Sequence, residues 1–199
     1  MALFFIGGSQ RSGTTMLQTI LCQDESVNPL IQEPKYFRHL ISAYKFGKDS
    51  FKGETRDYFT DMAEYTAFNT RIVRSFLKQT RALFPGTKHL VLREPHLTML
   101  FPELAELLPA ARFICVVRDP RDVIASMIEV GQRLDHPSLN QDVMARLFRS
   151  RDMAAISRHF LSFYKPVLRC RQPGFRRRLH FLRYEELVKN SDTERIDGS

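Results

Sequence analysis

An α/β domain built as a three-layer sandwich around a mainly parallel sheet, entered through a phosphate-loop-like strand-loop-helix, is what this sequence predicts. A short apolar run at residues 3–6 leads straight into Gly8-Ser9-Gln10-Arg11-Ser12-Gly13, and then into a helical stripe of Met16, Leu17, Ile20 and Leu21. A second run, residues 113–117, is continuous, apolar and β-rich, as strands covered on both faces are. Strand candidates and helical stripes alternate along the chain, the pattern of a parallel sheet with crossover helices.

The elements follow in order. Residues 3–6 are too few for a helix and suit a buried strand. Thr14 and Thr15 put hydroxyls in the first turn of the helix that follows. Residues 44–60 mix polar and aromatic side chains and read as irregular. After a brief apolar run at 90–92, Leu100, Phe101, Leu104, Leu107 and Leu108 form a helical stripe with Pro102 in its first turn. Asp119-Pro120 reads as an N-cap and first helical position, and Val123, Ile124, Met127 and Ile128 line one face of that helix. Residues 139–165 read as a longer helix ended by Pro166. Residues 169–178 are basic, contain Pro173 and Gly174, and read as a loop; residues 179–182 are a last short strand.

A chain of 199 residues is expected to form a single domain over 1–199 with a real core. The net charge of +8 favours anionic ligands but fits nucleic acid, a phosphorylated cofactor or a sulfated glycan alike. Cys22, Cys115 and Cys170 are too few and too scattered for a disulfide framework or a zinc site, and Cys115 reads as a buried small hydrophobe. No stretch reaches the roughly 20 apolar residues of a membrane span, and the N-terminus lacks the basic region of a signal peptide. A reduced, cytoplasmic protein is the expectation.

Gly8 and Gly13 have the spacing of the nucleotide-binding pattern GxxxxGK[ST], but Thr14 stands at the lysine and a basic residue, Arg11, has entered the loop. Such a loop keeps its anion cradle of backbone N–H groups and a helix N-terminus. It loses the lysine contact to the β- and γ-phosphates, so its ligand need not be a metal-bound triphosphate. Arg118 follows the second strong strand and marks a second anion site at the carboxyl edge of the sheet. Asp119 and Asp122 read as a helix cap and a dipole partner, and Arg121 as a solvated ion-pairing residue.

Residues 8–15, the run from Arg118 to Ser126, and Arg183-Tyr184-Glu185-Glu186-Leu187 together resemble the sulfotransferases that use 3′-phosphoadenosine 5′-phosphosulfate (PAPS), nearest to the glycan and tyrosyl-protein branches and their bacterial relatives. The resemblance runs from the first residues to about position 190. It implies that Arg11 touches the bridging and sulfuryl oxygens, and that Ser12, Gly13, Thr14 and Thr15 hold the 5′-phosphosulfate. It further implies that Arg118 and Ser126 hold the 3′-phosphate and that Tyr184 lies near the nucleotide. Sulfuryl transfer from this donor needs no metal, which accounts for the absent lysine.

The resemblance makes Glu33, in Gln32-Glu33-Pro34-Lys35, the general base toward a hydroxyl or amine acceptor, with His39, His89 and His96 as alternatives. Arg93 stands where many relatives have a lysine before a proline, and is expected near the sulfuryl group or the acceptor. Two departures stand out. Position 130 is Val130 where some branches have an arginine for the 3′-phosphate, with Arg133 as a substitute. The usual basic lid segment is not expected after the tyrosine motif. Two other classes compete: a P-loop kinase of a nucleoside or small molecule, and a non-catalytic polyanion binder resting on the net charge and the basic segment 169–178. The acceptor is open among glycan, peptide tyrosine, lipid and small alcohol.

Overall fold

A computed structural model describes residues 2–133 and 143–189. Four strands, β1 (Ala2–Gly8), β2 (His89–Arg93), β3 (Arg112–Val117) and β4 (Leu179–Arg183), form a sheet in the order β2-β1-β3-β4. Every pairing is parallel, with Phe5 opposite Leu92 on one side and Phe113 on the other. Side chains alternate across a strand, so each strand must supply two apolar faces. β1 sends Leu3 and Phe5 into one core and Phe4 and Ile6 toward the other, and β3 divides Phe113 from Ile114 and Val116 in the same way.

Helix α1 (Thr14–Leu21) covers one face through Leu17, joined by the helical residues 184–189 through Tyr184 and Leu187. The opposite face carries α2 (Lys35–Asp49), α3 (Met62–Ala82), α4 (Phe101–Leu107), α5 (Pro120–Arg133), α6 (Val143–Arg149) and α7 (Met153–Arg169), packed through two apolar clusters. The short helix α8 (Phe175–Arg178) precedes β4. The three-layer α/β architecture with a parallel sheet is as the sequence predicts.

Several boundaries differ. Residues 44–49 are helical, the last turns of α2, because Phe37, Ile41 and Tyr44 recur along one buried stripe despite the mixed composition around them. α3, unpredicted, is capped by Asp61, whose side chain accepts from the Glu64 N–H at 2.8 Å, while the Glu64 carboxylate accepts from the Thr60 N–H, one residue before the cap, at 2.8 Å. The long helix expected over 139–165 is two helices: Arg151 takes a left-handed φ of 54°, and Asp152 caps α7 by accepting from the Ala155 N–H. Pro166 lies inside α7 rather than ending it, since burial of Phe163, Tyr164 and Val167 holds the last turn against the lost backbone bond. The segment 169–178 ends in the single turn α8. Residues 134–142, the side chain of Arg133, and residues 190–199, where the lid expectation falls, lie outside the described residues.

Candidate active site

The carboxyl end of every strand supplies one part of the site, at the edge where open α/β sheets receive ligands. β1 runs into the loop at residues 9–13, β2 ends on Arg93, β3 is followed by Arg118, and β4 by Tyr184.

The loop is fixed from below. Gly8 donates its N–H to Thr98 Oγ1 at 2.6 Å, and Ser12 donates both Oγ–H (2.7 Å) and N–H (3.2 Å) to the Ser9 carbonyl. The Ser9 N–H donates to the Tyr164 hydroxyl at 3.1 Å. That hydroxyl lies 3.2 Å from Ser9 Oγ and 3.1 Å from the Val116 carbonyl, and burial pushes its pKa up. Gly13 is required twice over: its φ is 98°, and a Cβ there would stand 2.3 Å from the Tyr184 ring. Gly13 is also the N-cap of α1, and offers no side chain to the first-turn N–H groups. Those donors are left for a ligand.

Arg11 is the other left-handed residue of the loop, at φ 67°, a conformation that costs a residue with a Cβ about 1–2 kcal/mol. The turn brings Arg11 against the second predicted anion site. Arg11 Nε donates to Ser126 Oγ at 3.0 Å, and Arg118 Nη1 donates to the Arg11 carbonyl at 3.3 Å. Arg118 also stacks over the Tyr184 ring, Cζ lying 4.4 Å from its centroid. Its Nε is shielded from solvent without a hydrogen-bond partner among the described residues, and the Asp122 carboxylate is no nearer than 4.0 Å. A buried guanidinium N–H without a hydrogen-bond partner is an invitation to an anion.

Tyr184 is held in place by its neighbour. Glu185 accepts from the Asp119 N–H at 3.0 Å, a bond that lowers the Glu185 carboxyl pKa. Asp119 caps α5 as predicted, accepting from the Arg121 N–H at 2.8 Å. The Arg121 guanidinium, 88% exposed, pairs with it and brings Asp119 down to about 2. Arg121 is thus a solvated ion-pairing residue, as expected.

On the other side of the loop, Glu33 Oε1 accepts from Arg93 Nη1 at 2.7 Å. Arg93 Nε in turn donates to Oε1 of Gln18, which is fully buried on α1 and donates its own Nε2–H to the Ile31 carbonyl at 3.3 Å. Of the alternative bases, His89 sits at the start of β2, the edge remote from the loop, edge-on to Phe4. His39 is on α2 beside Arg38, and His96 is bound to the buried Glu94 at 3.0 Å. Gln18, Thr98 and Tyr164 are contributors that local sequence reading does not single out, because each acts on a residue far away in the chain, 75 to 155 positions distant.

The basic segment before β4 has an internal use. Arg178 donates to the carbonyls of Ala105, Leu108 and Ala111 at 3.1–3.2 Å, closing the carboxyl end of α4, and Arg176 donates to the Leu168 carbonyl. The three cysteines are free, and Cys115 is fully buried, its thiol raised to about 12 by burial. No helix among the described residues is long and apolar enough to cross a membrane.

These features define a phosphate-loop α/β domain whose cations converge beside the loop without the triphosphatase lysine. Family comparison gives the class a name: a model described as the sulfotransferase family matches residues 4–195, and the chain belongs to that family. It is 30% identical over 130 residues to a protein-tyrosine sulfotransferase homologue of Caenorhabditis briggsae, covering 64% of this chain and 43% of that protein. The chain therefore spans less than half the length of this curated relative. Among solved structures it resembles a sulfotransferase from Alicyclobacillus acidocaldarius, with a TM-score of 0.56 at 16% identity over 96% of this chain and 76% of that one. It also resembles a sulfotransferase domain from the curacin biosynthetic pathway, with a TM-score of 0.51 at 19% identity over 96% and 70% of the two chains. At these identities the likeness is one of fold.

Proposed function

We propose that the chain is a sulfotransferase that moves a sulfuryl group from PAPS to a hydroxyl or amine acceptor, without a metal and with Glu33 as general base. The observation that carries this reading is the junction of Arg11, Ser126 and Arg118, with Arg11 Nε 3.0 Å from Ser126 Oγ and Arg118 Nη1 3.3 Å from the Arg11 carbonyl. Two cations adjoin one phosphate loop, and the hydrogen bonds that hold both go to neutral partners, with Asp122 no nearer to Arg118 than 4.0 Å. That suits a ligand with two separated phosphate-like groups. Arg11, Ser12, Gly13, Thr14 and Thr15 would hold the 5′-phosphosulfate, and Arg118 and Ser126 the 3′-phosphate, with Tyr184 closing over Gly13 and Arg118.

In the reaction the acceptor oxygen or nitrogen forms a bond to sulfur while the bond from sulfur to the bridging phosphate oxygen breaks. Adenosine 3′,5′-bisphosphate leaves, and the acceptor proton passes to Glu33. Arg11 stands where charge develops on the leaving phosphate. Arg93 holds one oxygen of Glu33, and no described residue donates to the other, which fits a proton acceptor. Free thiols fit a reducing, cytoplasmic compartment.

Calorimetry tests the nucleotide assignment. Adenosine 3′,5′-bisphosphate should bind with or without EDTA, and more tightly than ATP with Mg²⁺. Tighter, Mg²⁺-dependent ATP binding would transfer the loop to the kinase reading. A polyanion-binding role is disfavoured by Arg178, whose guanidinium is committed to three backbone carbonyls, and binding of a random oligonucleotide in place of the bisphosphate would restore it.

A further inference from the structure

At the opposite edge of the sheet from the loop lies a cleft of about 380 Å³. Along β1 the two edges are seven residues apart, about 20 Å at the rise of an extended strand. The volume is within the range of small-ligand pockets. Its floor is apolar, with Leu3 from the start of β1, Leu77 from α3, and Leu108 and Ala111 from the turn before β3. That turn is not free to collapse inward, because Arg178 donates to the carbonyls of both Leu108 and Ala111.

The rim is cationic. Arg74, Lys78 and Arg81 fall on one stripe of α3 at i, i+4 and i+7, and all three line the cleft, which no carboxylate lines. None of the three makes an ion pair with a described residue. A merely solvated helix face would leave its guanidinium N–H groups to water. Here Nε of Arg81 is sealed from solvent and has no hydrogen-bond partner among the described residues. The α3 carboxyl terminus offers only about half a negative charge against three full positive ones.

We propose that this cleft is a second binding site, for a small amphipathic anion: a sulfate, phosphate or carboxylate head on an apolar body of several carbons. The head meets Arg81 and its neighbours, and the body covers Leu77, Leu108 and Ala111. The site is independent of the transfer reading above, since it shares no residue with the loop.

Octyl sulfate below its micelle concentration is the probe, titrated into the full chain and followed by calorimetry and by methyl NMR. Saturable binding is expected, with shifts concentrated on the Leu77, Leu108 and Ala111 methyls and little response to octan-1-ol. The triple variant Arg74→Gln, Lys78→Gln, Arg81→Gln should bind at least tenfold more weakly while holding adenosine 3′,5′-bisphosphate as the wild type does. Lys78→Glu, at an exposed position, should weaken the probe several-fold and serves if the triple variant does not fold. Unchanged binding in these variants would overturn the proposal. So would displacement of the probe by adenosine 3′,5′-bisphosphate, or shifts spread without saturation over the surface.

Discussion

The two sides of the loop treat their arginines in opposite ways. On one side Arg11 is held by a serine hydroxyl, and Arg118 by a carbonyl and the face of a tyrosine ring. These partners fix the geometry and leave Arg11 without a carboxylate among the described residues and Arg118 with only the long pair to Asp122 at 4.0 Å. On the other side Arg93 is bound to a carboxylate, Glu33, at 2.7 Å, and to the amide of Gln18. That pair is close to neutral. On the proposed reading, one side holds an anion and the other aims a carboxylate. A site that received a nucleotide with two separate anionic groups and took a proton from its acceptor would need both, and need them apart.

Removing the carboxylate should have the largest effect. Glu33→Gln keeps the shape and loses the base, so sulfuryl transfer should fall about 10²- to 10⁴-fold. The affinity for adenosine 3′,5′-bisphosphate should stay within about twofold, because the charges proposed to hold it are on the other side. A radiolabelled transfer assay, with and without EDTA, measures the first, and calorimetry the second. Full activity in the variant would pass the base role to His96 or His39. An equal loss of nucleotide affinity would erase the division between the two sides.

Arg118→Ala tests the charged side. Charged hydrogen bonds are worth about 1.5–3 kcal/mol, roughly 10- to 100-fold in affinity. Adenosine 3′,5′-bisphosphate should weaken by that factor and adenosine 5′-phosphate by much less, as judged by parallel titrations. Equal weakening of both ligands would move Arg118 away from the 3′-phosphate.

Gln18→Leu probes how the neutral side is aimed. The change leaves Arg93 Nε and the Ile31 carbonyl without their partner, which should destabilise the fold by about 1–3 kcal/mol in urea titration. If Gln18 orients Arg93 and through it Glu33, the turnover number should also fall, by about tenfold, with nucleotide affinity unchanged. Lower stability with full turnover would leave Gln18 a packing residue alone.

The charged side was the more legible of the two in the sequence. Gly8, Arg11 and Gly13 lie within six residues, and Arg118 follows β3, so local pattern alone marks two anion sites; Ser126, within α5, entered only through the family resemblance. Their meeting was not legible, because Arg11 reaches Ser126 across 115 positions. The neutral side rests on shorter reaches, Glu33 to Arg93 across 60 positions and Gln18 to Arg93 across 75, but fewer local signals announce them. α2 and α3 were hidden for a different reason. Their apolar stripes carry aromatic residues among many charges, so composition conceals the period that Phe37, Ile41 and Tyr44 obey. Pro166 shows the converse, a strong local stop signal overridden by the burial of its neighbours in α7.

The smallest expected effect concerns the titration of His159, which borders the charged side. Its Nε2 lies 3.3 Å from Gln10 Oε1, and its ring is packed between Phe148 and Phe163. Burial, and secondarily the nearby His96, lower its pKa below the ordinary value of about 6.5. The folded state therefore favours the neutral ring, and the unfolded chain binds the proton more readily. Stability contributed by this residue is complete above about pH 6.5 and is lost as the pH falls from there toward the lower folded value. His159→Phe removes the titration and keeps an aromatic ring, so the difference in urea midpoint between pH 7.5 and pH 5.5 should be smaller in the variant than in the wild type. The same loss of stability in both proteins would place the acid sensitivity elsewhere, and the charged side would then be bordered by a histidine whose protonation the fold tolerates.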